Sequence, residues 1–188
     1  MAATRSMFQL ILAGLLMAGL AGATLAWRPE TPVEDPGVVV EEEIPELSAG
    51  AEAPDFDLPL ISGGRIVLED VLDERPVLLV VWAVWCPPCV AEFQELQRLH
   101  EEYASSGLQI LAVGVRYNQT LEEVRLFARD QGVEFPVLYD EREKVVQRYG
   151  ITYIPTNFLI DRDGVIEYSS YGLPTDLEER VQALLENA

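Results

Sequence analysis

The chain has 188 residues, 49% of them hydrophobic, which suffices for one domain with a substantial core once its N-terminal region is set aside. Against 13 basic side chains it carries 32 acidic ones, a formal net charge of -19, and Lys144 is its only lysine. Such a surface repels phosphate backbones and argues against nucleic-acid binding; it serves solubility, or the steering of a basic protein partner.

Met7 to Trp27 is a stretch without a charged side chain, preceded by Arg5 and long enough to cross a bilayer as a helix. Residues 1–27 are therefore expected to form a signal-anchor transmembrane helix. Arg5 and the α-amino group would keep the N-terminus inside and leave the rest of the chain outside the cytoplasm. The rival is a cleaved signal peptide, since Ala21-Gly22-Ala23 and Thr24-Leu25-Ala26 offer small residues for a cleavage site. Residues 28–53 are rich in Pro, Glu and Asp, with Glu41-Glu42-Glu43 in their midst, and read as an extended, self-repelling tether. A folded domain is expected over 54–188.

Within that domain, Phe56 to Leu60 and Arg65 to Leu68 flank Ser62-Gly63-Gly64, a turn signal that predicts a β-hairpin. Val77 to Trp82 is a continuous apolar run, as in a strand buried on both faces. Immediately after it comes Trp85-Cys86-Pro87-Pro88-Cys89, which holds the only two cysteines. A helix follows, with Val90, Phe93, Leu96, Leu99 and Tyr103 on one stripe and an end near Gly107.

If that helix starts at the cysteine pair, Cys86 and Cys89 lie at i and i+3, roughly 5 to 6 Å apart at Cα, inside the range a disulfide spans. So short a loop gives little stabilisation as a clamp, and redox exchange is the better use. The unpaired N–H groups and positive end of the helix favour a thiolate at Cys86, the expected nucleophile. Pro87 and Pro88 stiffen the first turn without breaking it, and Cys89 is placed to resolve a mixed disulfide. A zinc site needs four ligands, and the chain adds only His100 to the two cysteines. His100 reads as a surface or interface residue far down the helix, and no metal site is expected.

Leu108 to Val115 predicts a second buried strand, and Thr120-Leu121-Glu122-Glu123 has the spacing of a capping box that opens a helix to about Gln131. Val137 to Tyr139 reads as a short strand and Glu141 to Tyr149 as a short helix. Phe158 to Ile160 and Val165 to Ser169 flank Asp161-Arg162-Asp163-Gly164, a second hairpin. Thr175-Asp176-Leu177-Glu178 is another candidate capping box before a last helix whose apolar face holds Leu177, Val181, Leu184 and Leu185. This order predicts an α/β sandwich around a central mixed sheet.

The segment Val77 to Glu92, V-L-L-V-V-W-A-V-W-C-P-P-C-V-A-E, resembles the active-site segment of the thioredoxin superfamily. Within it the chain is most similar to the membrane-anchored TlpA/ResA-type thiol-disulfide oxidoreductases of the wider AhpC/TSA (redoxin) group. The resemblance extends from about Ala53 to the C-terminus, including the N-terminal hairpin and the helix inserted around 120–131. It implies a thioredoxin-like fold and an enzyme that reduces protein disulfides, with cytochrome c maturation the best-known task. Apocytochrome c would be a substrate and a membrane thiol carrier the electron donor. A monomer is expected, with no cofactor beyond the Cys86-Cys89 pair.

The resemblance also assigns residues. The proline of Tyr153-Ile154-Pro155-Thr156 matches one that is cis and faces the cysteine pair, so Pro155 would lie beside Cys86. The Ile154 backbone would then pair with an incoming substrate strand, beside Thr156. Glu92 matches an acidic position near the disulfide and would shuttle the proton of Cys89; the alternative is a solvated helix glutamate. Where ordinary thioredoxins bury an acid six residues before the first cysteine, this chain has Val80. Trp85 would shape the docking surface together with Pro87 and Pro88, Trp82 would be core, and Arg116 would border the site or lie solvated. Two alternative roles compete with this one. A peroxiredoxin-like peroxidase would have a threonine three residues before its cysteine, where this chain has Ala83, and a copper-site assembly protein or metallochaperone would need a third ligand close to the thiolates.

Overall fold

A computed structural model describes residues 47–186. The expected anchor and most of the expected tether lie outside the described residues. Among the described residues no helix is long and apolar enough to cross a membrane.

The first hairpin forms as the turn signal predicts, from β1 (Asp57–Pro59) and β2 (Arg65–Val67), with Leu58 opposite Ile66. Its turn runs through Gly63 and Gly64, both at positive φ. A one-and-a-half-turn helix that the sequence does not announce, α1 (Leu68–Leu72), follows directly, with Leu68 and Leu72 buried. Next come β3 (Val77–Trp82) and α2 (Pro87–Tyr103), which continues as a 3-10 turn over Ala104–Ser106. Gly107, at φ 111, ends it where an L side chain would be strained. Then follow β4 (Gln109–Val115), α3 (Leu121–Gln131), β5 (Val137–Asp140), α4 (Lys144–Arg148), β6 (Thr156–Ile160), β7 (Ile166–Tyr171) and α5 (Leu177–Glu186).

Five strands form one sheet in the order β5-β4-β3-β6-β7. β3 runs parallel to β4, and β4 to β5, while β6 and β7 are antiparallel, so the sheet is mixed. All six residues of β3 are buried, which fits a central strand covered by helices on both faces. Trp82 closes its end, wedged between Phe93 of α2 (ring centroids 4.4 Å apart) and Phe127 of α3 (4.9 Å). The buried stripe of α2 is Cys89, Phe93, Leu96, Leu99 and Tyr103; Cys89, and not Val90, begins it.

Two local readings change. Residues 50–53, assigned to the tether, belong to the folded domain: Gly50 N–H donates to Ile166 O, Ile166 N–H to Ala51 O and Ala53 N–H to Gly164 O, which adds a short antiparallel segment beside the β6–β7 hairpin. Composition hid this, because backbone pairing does not depend on side-chain type. The Thr120 capping box forms with Glu123 in both directions. The one expected at Thr175 gives way to tertiary partners, since the Glu178 carboxylate accepts from Arg98 and from the Tyr103 hydroxyl on α2.

Candidate active site

The site is built where β3 ends and α2 begins. Cys86 is the N-cap of α2 in extended backbone, Pro87 and Pro88 fill the first turn, and the Cys86 Sγ accepts from the Cys89 N–H at 3.3 Å. That bond and the N-terminal end of a 17-residue helix favour negative charge at Cys86 in the reduced protein. The two cysteines form a disulfide, with Cα atoms 5.2 Å apart as their i, i+3 spacing predicts. Both residues are largely buried, Cys86 at 4% and Cys89 at 1% exposure, so a partner meets the edge of Cys86 first.

Chain closure brings in the 154–156 loop. The Ile154-Pro155 bond is cis, and the Ile154 carbonyl oxygen lies 3.8 Å from Cys86 Sγ. Pro155 is buried, Ile154 is half-buried, and the Thr156 hydroxyl donates to Tyr153 O at 2.6 Å. Trp85, next to Cys86 in the chain, is exposed, donates its indole N–H to Tyr117 O at 2.7 Å and meets the Tyr117 ring edge-on. Trp85, Tyr117 and Tyr153 are all exposed, large side chains on the loops before the cysteine pair, after β4 and before the cis proline.

The loop before the cysteines is held by a residue that the sequence did not single out. Gln119 is buried; its Oε1 accepts from Val84 N–H at 2.7 Å and its Nε2 donates to Val115 O. A glutamine in a polar loop looks solvated on paper. Arg116 next to this loop is exposed. His100 lies away from the cysteines, its ring 5.9 Å from that of Phe135.

Glu92 points inward. Its Oε1 accepts from Leu173 N–H at 2.9 Å, while Oε2 is buried without a hydrogen bond. Leu173 follows Gly172, whose N–H donates to Pro155 O at 3.0 Å, so one turn ties the glutamate to the cis-proline loop. A Cβ at Gly172 would stand 3.3 Å from Glu92 Oε1 at a positive φ, which explains a glycine there. Burial raises the Glu92 pKa; the Leu173 N–H and, after it, Asn157 oppose the rise.

A carboxyl that ionises less readily folded than unfolded favours folding only while protonated. That contribution is complete below the ordinary value of 4.5 and is lost as pH rises through the raised folded value. Glu92→Gln, which keeps an acceptor for Leu173, is therefore expected to melt above the wild type near neutral pH and together with it below pH 4.5. Thermal melts across pH check this; a constant difference at every pH would count against it.

The described residues 49–169 match the AhpC/TSA family. A thiol-disulfide oxidoreductase ResA of Bacillus thuringiensis (strain Al Hakam) is 31% identical over 182 residues, covering 97% of this chain and 95% of the relative. The Bacillus subtilis ResA is 36% identical over 120 residues, 64% of this chain and 65% of the relative. A Chlorobium tepidum structure described as a thiol:disulfide interchange protein DsbE superposes with a TM-score of 0.68 at 31% identity, over 74% of this chain and 99% of that one.

Proposed function

The chain belongs to the AhpC/TSA family and is a thiol-disulfide oxidoreductase, and from that premise we propose that it reduces protein disulfides outside the cytoplasm through Cys86 and Cys89. The observation that carries the mechanism is the cysteine pair at a helix N-terminus with Ile154 O 3.8 Å from Cys86 Sγ. In the reduced enzyme the Cys86 thiolate attacks one sulfur of a substrate disulfide, forming a mixed disulfide and releasing the other sulfur as a thiolate that takes a proton from solvent. Cys89 then loses its proton to Glu92 and attacks Cys86 Sγ. The second substrate sulfur leaves as a thiolate that takes a proton from solvent; the substrate disulfide has gained two electrons and Cys86-Cys89 has lost two, closing its own disulfide. A membrane dithiol would return the pair to the reduced state and become a disulfide itself.

The uncharged stretch Met7 to Trp27 supports the extracytoplasmic assignment, and the acidic tether supports a domain held off the membrane. Apocytochrome c cysteines are the proposed substrate, in line with the best-known task of TlpA/ResA-type proteins. Expressing Cys89→Ser in cells should capture the physiological partner as a mixed disulfide on Cys86, released by reductant and identifiable by mass spectrometry. Recovery of the same proteins with Cys86→Ser/Cys89→Ser would sink the assignment of Cys86 as the attacking thiol, and partners drawn only from the cytoplasm would sink the location.

A further inference from the structure

Asn157 has no part in the reaction as written, yet its surroundings are hard to explain as packing alone. It lies in β6 at 2% exposure, an amide directly before the apolar stretch Phe158 to Ile160. Its register partner on the central strand is Val80, so the two side chains emerge on the same face of the sheet. That is also the face of Trp82, which packs on Phe93 of α2. Asn157 therefore stands one strand away from the place where ordinary thioredoxins bury an acid, and beneath the helix that carries Cys89 and Glu92.

Both polar atoms of the Asn157 amide, and Oε2 of Glu92, are buried outside hydrogen-bonding geometry in the oxidised protein. Leaving several such atoms in a core is unfavourable, and a rearrangement that pairs any of them is favoured. Asn157 nevertheless stands close enough to Glu92 to favour its ionised form. Cys89, one turn earlier on α2, is the titratable neighbour on the inner face of that helix; the turn before α5 contributes the Leu173 N–H and β6 contributes Asn157. Among the described residues no charged side chain joins that set.

We propose that Asn157 is a positioning residue for proton exchange between Cys89 and Glu92, closing on Glu92 Oε2 when the disulfide opens. A carboxamide suits both protonation states, because its Nδ2–H₂ donates to a carboxylate and its Oδ1 accepts from a carboxylic acid. When the Cys89 S–H gives its proton to Glu92, the amide turns from donor to acceptor, so Glu92 Oε2 has a partner in both protonation states. The thiolate so formed is the one that attacks Cys86 Sγ. This deepens the reading of the Cys86-Cys89 site and rests on it.

The test uses the full-length protein with glutamate labelled at the side-chain carboxyl carbon, the Glu92 signal being assigned by its loss in Glu92→Gln. In the reduced protein, Asn157→Leu should move the Glu92 titration to higher pH, and Asn157→Ser should move it less. The resolving step, followed in single turnover from a preformed mixed disulfide, should slow roughly fivefold in Asn157→Leu at the acidic end of the pH profile, the effect of one lost hydrogen bond. In a Glu92→Gln background Asn157→Leu should have no further pH-dependent effect. An unmoved Glu92 titration in folded Asn157→Leu or Asn157→Ser, or an equal pH-dependent loss without Glu92, would overturn the proposal. The carboxyl titration does not depend on turnover, so a failure of the reductase reading would show separately, as absent exchange in a protein whose Glu92 still responds to Asn157.

Discussion

Cys86→Ser is expected to abolish disulfide reduction, lowering turnover at least about 10³-fold, because a serine hydroxyl at the same N-cap position does not ionise near neutral pH and forms no mixed disulfide. The fold should survive. The Cys86 Sγ makes one helix-capping bond, to the Cys89 N–H, and a serine oxygen is a favoured N-cap acceptor. Reduction of a small disulfide substrate by the purified protein, read beside its circular dichroism, separates the two effects. Cys89→Ser should differ in kind, reacting once with substrate and stopping as the mixed disulfide. Residual multiple turnover in Cys86→Ser would assign the attack to Cys89. That outcome would conflict with the burial of Cys89 at 1% exposure behind Cys86.

The largest loss of stability is expected at Trp82. Its side chain is fully buried at the end of β3, in ring contact with Phe93 of α2 and Phe127 of α3, and Phe93 in turn meets Phe127 at 4.9 Å and Phe135 at 5.8 Å. Truncation to alanine removes the transfer free energy of the indole and leaves a cavity that those rings cannot fill without moving α2 and α3. The expected loss is about 3–5 kcal/mol, a large part of the roughly 5–15 kcal/mol that holds a domain together. Trp82→Phe should cost much less, since it keeps an aromatic wedge and removes an indole N–H that is buried without a hydrogen bond. Urea unfolding of the oxidised protein measures both. A loss below about 1 kcal/mol for Trp82→Ala would show that the aromatic cluster is not cooperative. Because Phe93 stands one turn beyond Cys89 on the buried stripe of α2, the same substitution should also slow the resolving step.

The part of this site that the sequence shows is local. Cys86, Pro87, Pro88 and Cys89 occupy one helical turn, so their spacing alone gives the 5.2 Å Cα separation and the capping contact. The Thr120 to Glu123 box and the strand at Val77 to Trp82 are equally local, fixed by hydrogen bonds three residues apart and by an unbroken apolar run. Pro155 and Glu92 entered as site residues through family resemblance, since nothing in their immediate neighbours announces a contact with Cys86 or with a turn 81 residues away. Gln119 and Asn157 were missed for the same reason. Each is a common polar residue whose meaning depends on what faces it: Val84 N–H in one case, the Glu92 carboxyl in the other.

By itself, then, the sequence determined the redox pair, the helix that polarises it and the alternation of strands and helices, because these follow from interactions within a few residues along the chain. Only the tertiary structure decided that Ile154 O sits at Cys86, that Gly172 and Leu173 link Pro155 to Glu92, and that Asn157 lies beside Val80 on the same face of the sheet. Those contacts arise when the antiparallel β6 docks on β3 and β7 on β6, which sets residues far apart in sequence side by side at positions no local pattern encodes.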